Sequence, residues 1–85
     1  MRIAVIEDER PIREGLVHIL NKISPEYQVV GSAENGREGL ILLEEQDPDL
    51  ILLDMIMPLL SGMDTARELR QHDPHVPIIF LTSSP

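Results

Sequence analysis

Four short apolar runs, separated by longer stretches with helical spacing, restrict the possible folds of this chain more than any other feature. The runs are Ile3–Ile6, Tyr27–Ala33, Leu50–Leu53 and Ile78–Leu81. Runs of this length, rich in β-branched and aliphatic residues, are typical of buried strands. Parallel strands need a crossover of about a dozen residues or more, and every gap between the runs offers one. The pattern therefore predicts an α/β fold of order β-α-β-α-β-α-β, a parallel sheet with helices on both faces.

Each gap between the runs carries signals of a helix. Pro11 suits a first helical turn whose N-cap is Asp8 or Glu9, and Ser24–Pro25 ends that helix. The apolar residues of this helix recur at helical spacing, and polar residues occupy its other faces: Ile12, Leu16, Ile19, Leu20 and Ile23 against Arg13, Glu14, His18 and Lys22.

The two later helices have equally clear limits. Asn35–Gly36 opens the second, which is predicted to run to about Glu45. The loop Leu59–Gly62 leads into the third, which breaks around His72–Pro74.

Composition excludes several classes of function. The 85 residues include fifteen acidic and seven basic residues, and the formal charge of -8 argues against a surface that binds nucleic-acid phosphates. The chain has no cysteine, which excludes a disulfide framework and a thiolate metal site. No apolar run reaches the length of a membrane span, and the first is shorter than the core of a signal peptide, so a cytoplasmic protein is expected.

Acidic side chains follow two of the predicted strands. Glu7, Asp8 and Glu9 come directly after the first strand, and Asp54 ends the third. Thr82 follows the fourth strand. Because parallel strands end at one edge of the sheet, Glu7, Asp8 and Asp54 converge if the first and third strands are neighbours. Carboxylates at such short distances repel each other, so they must either take up protons or bind a cation. A site of oxygen ligands that leaves room for water molecules suits Mg²⁺.

These residues also have other interpretations. The run Glu7–Glu9 suits a helix N-terminus, where the helix dipole favours negative charge, and Asp54 alone is compatible with a surface loop. A bound phosphate is disfavoured, because the loop Glu7–Pro11 has none of the glycines or hydroxyls that phosphate-binding loops use. A phosphoryl group attached covalently to a carboxylate and neutralised by a metal is compatible with this edge.

The motifs resemble those of the receiver domain of two-component response regulators, in order, spacing and residue type. The matching segments are Ile6–Glu9, Ser32–Gly36, Asp49–Pro58, Gly62 and Pro77–Thr82. The resemblance implies a flavodoxin-like (CheY-like) fold of strand order 2-1-3-4-5. This chain carries the first four of those strands, in the order 2-1-3-4.

The resemblance also assigns roles to individual residues. Asp54 matches the aspartate that accepts a phosphoryl group from a histidine kinase. Glu7 and Asp8 match the acidic pair that holds Mg²⁺, with Glu7 in place of the more frequent aspartate, and the backbone carbonyl of Ile56 matches a further metal ligand. Thr82 matches the hydroxyl that hydrogen-bonds the phosphoryl group. Such receivers most often control transcription through a DNA-binding output domain, which this chain does not include.

The chain departs from the family at its end. Residues 1–85 correspond to the N-terminal two-thirds of a receiver; a fourth helix, a fifth strand with its lysine and a fifth helix are missing. The only lysine, Lys22, lies near the end of the first helix and cannot take the role of that lysine. The fourth strand would then be an exposed apolar edge, which predicts self-association of the 85-residue chain.

Two other functions compete with a phosphoacceptor. One is a receiver-like interaction or dimerisation module that cannot be phosphorylated. The other is an aspartyl-phosphate hydrolase of the dehalogenase type, but those enzymes use an Asp-x-Asp pair and Ile56 stands at the second position. An aliphatic side chain there cannot orient a hydrolytic water, so a long-lived phosphorylated state is expected.

Overall fold

The computed structural model describes residues 1–57 and 60–81. Its elements are β1 (Arg2–Ile6), α1 (Arg10–Ile23), β2 (Gln28–Ala33), α2 (Gly36–Gln46), β3 (Leu50–Asp54), α3 (Gly62–His72) and β4 (Ile78–Leu81). The predicted order is confirmed; β4 has the predicted boundaries, and those of the other elements differ from the predicted ones by no more than two residues. Leu59, in the predicted loop before α3, lies outside the described residues.

The four strands form one parallel sheet in the order β2-β1-β3-β4, which confirms the predicted order 2-1-3-4. β1 lies in the middle and pairs with both β2 and β3, so that Ile6 is in register with Ala33 on one side and Leu53 on the other. The C-terminal ends of β1 and β3 are therefore adjacent.

Side chains alternate between two apolar layers, as the period of a strand requires. On one face, Ala4 and Ile6 pack with Leu43 of α2 and Leu69 of α3. On the other face, Ile3, Val5 and Leu52 pack against α1 through its residues Leu16, Val17 and Leu20. The sheet thus has helices on both faces, as predicted.

The first helix is less buried than its apolar pattern suggests. The structure describes α1 completely, and none of its residues is buried. Leu16 and Leu20 are half-buried against the sheet, but Ile12, Ile19 and Ile23 are exposed. The reason is that α1 alone, among the described elements, covers its face of the sheet, so the flanks of its apolar stripe have no neighbour.

Side-chain caps begin two of the three described helices. Asn35 accepts a hydrogen bond from the backbone of Glu38 at 2.9 Å, and Ser61 accepts one from the backbone of Asp64 at 3.2 Å. Each bond satisfies a free N–H in the first turn of α2 or α3. Glu9 occupies the N-cap position of α1, and no side chain of the described residues caps that helix.

Gly62 brings the start of α3 against the end of β3. Its backbone N–H donates to the carbonyl oxygen of Met55 at 2.9 Å. A Cβ added at this position would meet the carbonyl oxygen of Asp54 and would lie 2.5 Å from the Cα of Met55. Backbone atoms cannot move aside as a flexible side chain can, so only glycine permits this approach.

We expect Gly62→Ala to destabilise the protein by about 2 kcal/mol or more, because α3 must move away from β3 to relieve the overlap. Equilibrium unfolding in urea measures this cost. Gly15→Ala is the matched control: an added Cβ meets nothing within 4 Å at that helical position, so a gain of about 0.5 kcal/mol is expected. Equal stability changes in the two variants would contradict the close packing of α3 on β3.

Candidate metal centre

The pairing of β1 with β3 sets Glu7 beside Asp54. Val5 is opposite Leu52 and Ile6 is opposite Leu53, and one further step of this register reaches Glu7 and Asp54. Residues paired in this way project from the same face of a sheet, and neighbouring strands lie about 4.8 Å apart. The two carboxyl groups therefore meet at the edge where the strands end.

The structure brings three predicted carboxyl groups together at this edge. Glu7, Asp8 and Asp54 each offer an oxygen, and these oxygens lie within 4.8 Å of one another. Glu7 and Asp54 are buried, each with 4% of its surface exposed, and Asp8 is half-buried. Glu9, the third acidic residue of the loop, is exposed.

Burial and crowding shift the acidity of this cluster. The pKa of Glu7 is raised from 4.5 to about 8, first by burial, then by the hydrogen bond to Asp54 and its charge, and then by the charges of Asp8 and Glu9. The pKa of Asp8 is raised as well, again by burial first and then by Asp54. In the metal-free protein the Glu7 carboxyl group therefore keeps its proton to a higher pH than an ordinary glutamate, and a bound cation would displace that proton.

Backbone hydrogen bonds fix the position of Asp54. The N–H of Ile56 donates to Oδ1 of Asp54 at 3.2 Å. Met55, the residue after Asp54, donates a hydrogen bond from its N–H to the carbonyl oxygen of Leu81 at 3.1 Å. Its carbonyl oxygen accepts one from the N–H of Gly62. The C-terminal end of β3 is thus held by its own loop, by β4 and by α3.

The side chain of Arg13 holds the loop after β1. The helical spacing of the sequence predicts only that this residue lies on a polar face of the first helix, with no contact to the loop. Nη1 of Arg13 donates to the carbonyl oxygens of Glu7 at 2.8 Å and Asp8 at 3.4 Å. A signal for this contact exists in the sequence, because long side chains in a first helical turn lean back toward the residues before the helix.

The remaining predicted site residues have different outcomes. Thr82 lies outside the described residues. Ile56 lies next to Asp54 through its backbone, and its side chain is 72% exposed; the role of its carbonyl as a metal ligand stays a prediction. Lys22 is in the last turn of α1, at the end of the helix that is far from the site.

No helix in the described part of the chain has the length and apolar character of a membrane span.

We expect the metal-free protein to lose stability as the pH rises from about 4.5 to about 8, because the folded state binds the proton of Glu7 more tightly than the unfolded chain does. Urea unfolding at both ends of this range, in a chelator, measures the loss. Glu7→Gln should remove part of the pH dependence, and added Mg²⁺ should oppose the loss. A wild-type stability that follows that of Glu7→Gln at every pH would contradict the shifted pKa.

Curated relatives of this chain include a transcriptional regulatory protein and a response regulator. The transcriptional regulatory protein YdfI of Bacillus subtilis is 36% identical over 83 residues, which cover 96% of this chain and 38% of that protein. The nitrate/nitrite response regulator protein NarL of Escherichia coli K12 is 42% identical over 69 residues, covering 81% and 32%. The chain therefore spans about a third of the length of these relatives.

Solved structures and a family model agree with these relatives. The response regulator domain of Thermotoga maritima CheB superposes with a TM-score of 0.91 at 30% identity, covering 98% of this chain and 60% of that one. A two-component response regulator of the LuxR family from Aurantimonas gives a TM-score of 0.90 at 30% identity, covering 99% and 59%. The family model described as the response regulator receiver domain matches residues 3–85. The chain belongs to the response regulator receiver domain family.

Proposed function

We propose that this chain is a phosphoacceptor: Asp54 receives a phosphoryl group from a histidine kinase or a phosphotransfer protein in a Mg²⁺-dependent reaction. The observation that carries the proposal is the convergence of Glu7, Asp8 and Asp54 within 4.8 Å at one sheet edge. Membership of the receiver family supports it, since phosphorylation of such an aspartate is typical of the family. In this role the chain is not itself an enzyme.

The donor set of the cluster fits Mg²⁺. This ion prefers oxygen ligands in octahedral geometry at about 2.1 Å, which places ligand oxygens about 3 to 4.2 Å apart. Three carboxyl oxygens within 4.8 Å need only a small contraction to reach that spacing. Glu7, Asp8 and Asp54 would hold the ion, with the carbonyl of Ile56 as a further proposed ligand. When bound, Mg²⁺ neutralises negative charge on the carboxylates and the incoming phosphoryl oxygens.

The protein contributes mainly position. A carboxylate oxygen of Asp54 attacks phosphorus in line; the new P–O bond forms as the bond from phosphorus to the donor nitrogen breaks, and the electron pair leaves with the donor imidazole. The hydrogen bond from Ile56 to Oδ1 fixes the orientation of the attacking carboxylate. Fixed geometry of this kind lowers the entropic cost of the transfer.

The role proposed for Thr82 comes from its place in the family motif after β4. Its hydroxyl would hydrogen-bond a phosphoryl oxygen on Asp54 and move on activation. The backbone bond between Leu81 and Met55 supports this assignment, since it places the end of β4 beside the loop that follows Asp54.

Competing functions find less support at this site. A hydrolase of the dehalogenase type needs a second acid two residues after its nucleophile, and the aliphatic side chain of Ile56 stands there, exposed. An interaction module that is not phosphorylated would have no use for buried acidic groups at 4% exposure, whose crowding costs stability.

We infer that residues 1–85 form the N-terminal two-thirds of a receiver domain. The solved CheB receiver supports this inference, because the chain covers 60% of it. A fourth helix, a fifth strand and a fifth helix would complete the domain. The relatives named as transcriptional regulators support an output domain that binds DNA in the whole protein.

We expect incubation with acetyl phosphate and Mg²⁺ to add one phosphoryl group, detected as an increase in intact mass. Asp54→Asn should abolish the gain, and a chelator should prevent it. Asp64→Asn, which changes an exposed aspartate of α3, is the matched control and should be phosphorylated as the wild type is. Absence of any gain in a chain that includes the remaining receiver elements would favour the interaction module.

We expect Ile56→Asn to accelerate loss of the phosphoryl group several-fold, because an amide beside Asp54 can orient a water molecule where the isoleucine side chain cannot. The decay of the phosphorylated mass over time measures the rate. Ile41→Asn changes another exposed isoleucine, in α2, and should leave the rate unchanged. An Ile56→Asn rate equal to that of the wild type would contradict the role of the side chain.

We also propose that the 85-residue chain self-associates through β4. This strand pairs with β3 and is the last in the order of the described sheet, with Ile79 50% and Phe80 38% exposed. Exposed apolar edge strands pair with other chains. Sedimentation velocity should show dimers or larger species that Ile79→Lys shifts toward the monomer. A sharp monomeric boundary for the wild type, with a cooperative thermal transition, would contradict this proposal.

A further inference from the structure

A guanidinium group reaches the backbone of the loop that carries two of the three clustered carboxylates. Arg13 lies in the first turn of α1 and is half-buried. Its Nη1 donates to the carbonyl oxygens of Glu7 and Asp8, at 2.8 and 3.4 Å. One nitrogen thus connects two successive peptide groups of the loop to the helix that follows it.

The loop has few other attachments of its own. The N–H of Glu7 donates to the carbonyl oxygen of Ala33 at 3.0 Å, which extends the pairing of β1 with β2 by one bond. Beyond that point, Glu9 provides no side-chain cap for α1, and Pro11 has no N–H to donate. The backbone N–H of Arg13 adds a bond to the carbonyl oxygen of Glu9 at 2.9 Å. Residue 13 therefore binds the loop through both its backbone and its side chain.

The charge of Arg13 is directed at carbonyl groups and not at carboxylates. The ion pairs within the described ranges are Arg10–Glu14, Arg67–Asp64 and His72–Glu44. A guanidinium paired with Glu7 or Asp8 would compete with a cation for the carboxyl oxygens. Bonded to the backbone instead, Arg13 fixes the loop and leaves those oxygens available.

We propose that Arg13 is a positioning residue for the cation site, acting through its hydrogen bonds to the carbonyl groups of Glu7 and Asp8. The inference rests on the proposed function, since it concerns the same site. Loss of the two hydrogen bonds weakens the cation site because the carboxylates of Glu7 and Asp8 are no longer held at a fixed distance from Asp54. Loss of a positive charge near the site is a separate effect, which a second arginine tests.

The affinity of the chain for Mn²⁺, a paramagnetic substitute for Mg²⁺, tests this inference. It is measured by electron paramagnetic resonance from the signal of the free ion. We expect Arg13→Met to weaken binding about tenfold, the lower limit of the effect of changing groups that orient metal ligands. Arg10→Met is the matched control: Arg10 is also in the first turn of α1, but its side chain is 77% exposed and pairs with Glu14. That variant loses the same charge and should bind Mn²⁺ as the wild type does.

Arg13→Lys retains the charge and one donor nitrogen on a shorter side chain, so it should bind Mn²⁺ more tightly than Arg13→Met and less tightly than the wild type. Circular dichroism must show that each variant is folded at the temperature of the titration. If Arg13→Met does not fold, Arg13→Lys decides: binding several-fold weaker than wild type supports the inference, and unchanged binding overturns it.

The possible failures are distinguishable. Wild-type affinity in Arg13→Met, or equal losses in Arg13→Met and Arg10→Met, would overturn the positioning role and leave the proposed function standing. A wild-type chain that does not bind Mn²⁺ would overturn the metal site and this inference together.

Discussion

The pairing of β1 with β3 is the interaction on which the site depends. Its register carries Ile6 opposite Leu53, and the next position brings the carboxyl groups of Glu7 and Asp54 to the same edge. Hydrophobic packing on both faces of the sheet stabilises this pairing, while repulsion between the carboxyl groups opposes it. The fold thus holds together groups that would separate in solution, and the raised pKa of Glu7 is a consequence of that constraint.

Rigid surroundings at the end of β3 follow from the same arrangement. The backbone of Met55 is hydrogen-bonded to the backbone of Leu81 and of Gly62, and the N–H of Ile56 donates a hydrogen bond to the carboxylate of Asp54. The absence of a side chain at Gly62 permits α3 to approach the backbone of Asp54. The end of β3 is thus hydrogen-bonded to both β4 and α3 through Met55, the residue that follows Asp54. If Asp54 is phosphorylated, as proposed, these hydrogen bonds connect the modified residue to β4 and α3.

Much of this could be predicted from the sequence because parallel sheets obey simple rules. Strand ends gather at one edge, so the positions of Glu7, Asp8 and Asp54 after their strands predicted the cluster on the condition that β1 and β3 are neighbours. The resemblance to the receiver family implied the strand order that meets this condition, and the structure confirms that order. Contacts that depend on the path of a single side chain were not predictable in this way. The helical pattern of α1 predicted that Leu16 and Ile19 both face the sheet. Leu16 packs on the sheet but Ile19 is exposed, because periodicity does not show how much of a helix face the neighbouring elements cover. The contact of Arg13 with the loop was missed for a related reason: its place on the helix was assigned from spacing alone.

In the proposed function, the three carboxyl groups form one cation site at the ends of β1 and β3. Anomalous diffraction from crystals of this chain grown with Mn²⁺ tests it most directly. We expect one strong anomalous peak within ligand distance of Glu7, Asp8 and Asp54, and no peak at that position in crystals of Asp54→Asn. A wild-type crystal with no peak there, or with its strongest peak at another surface, would show that the three carboxyl groups do not form a cation site.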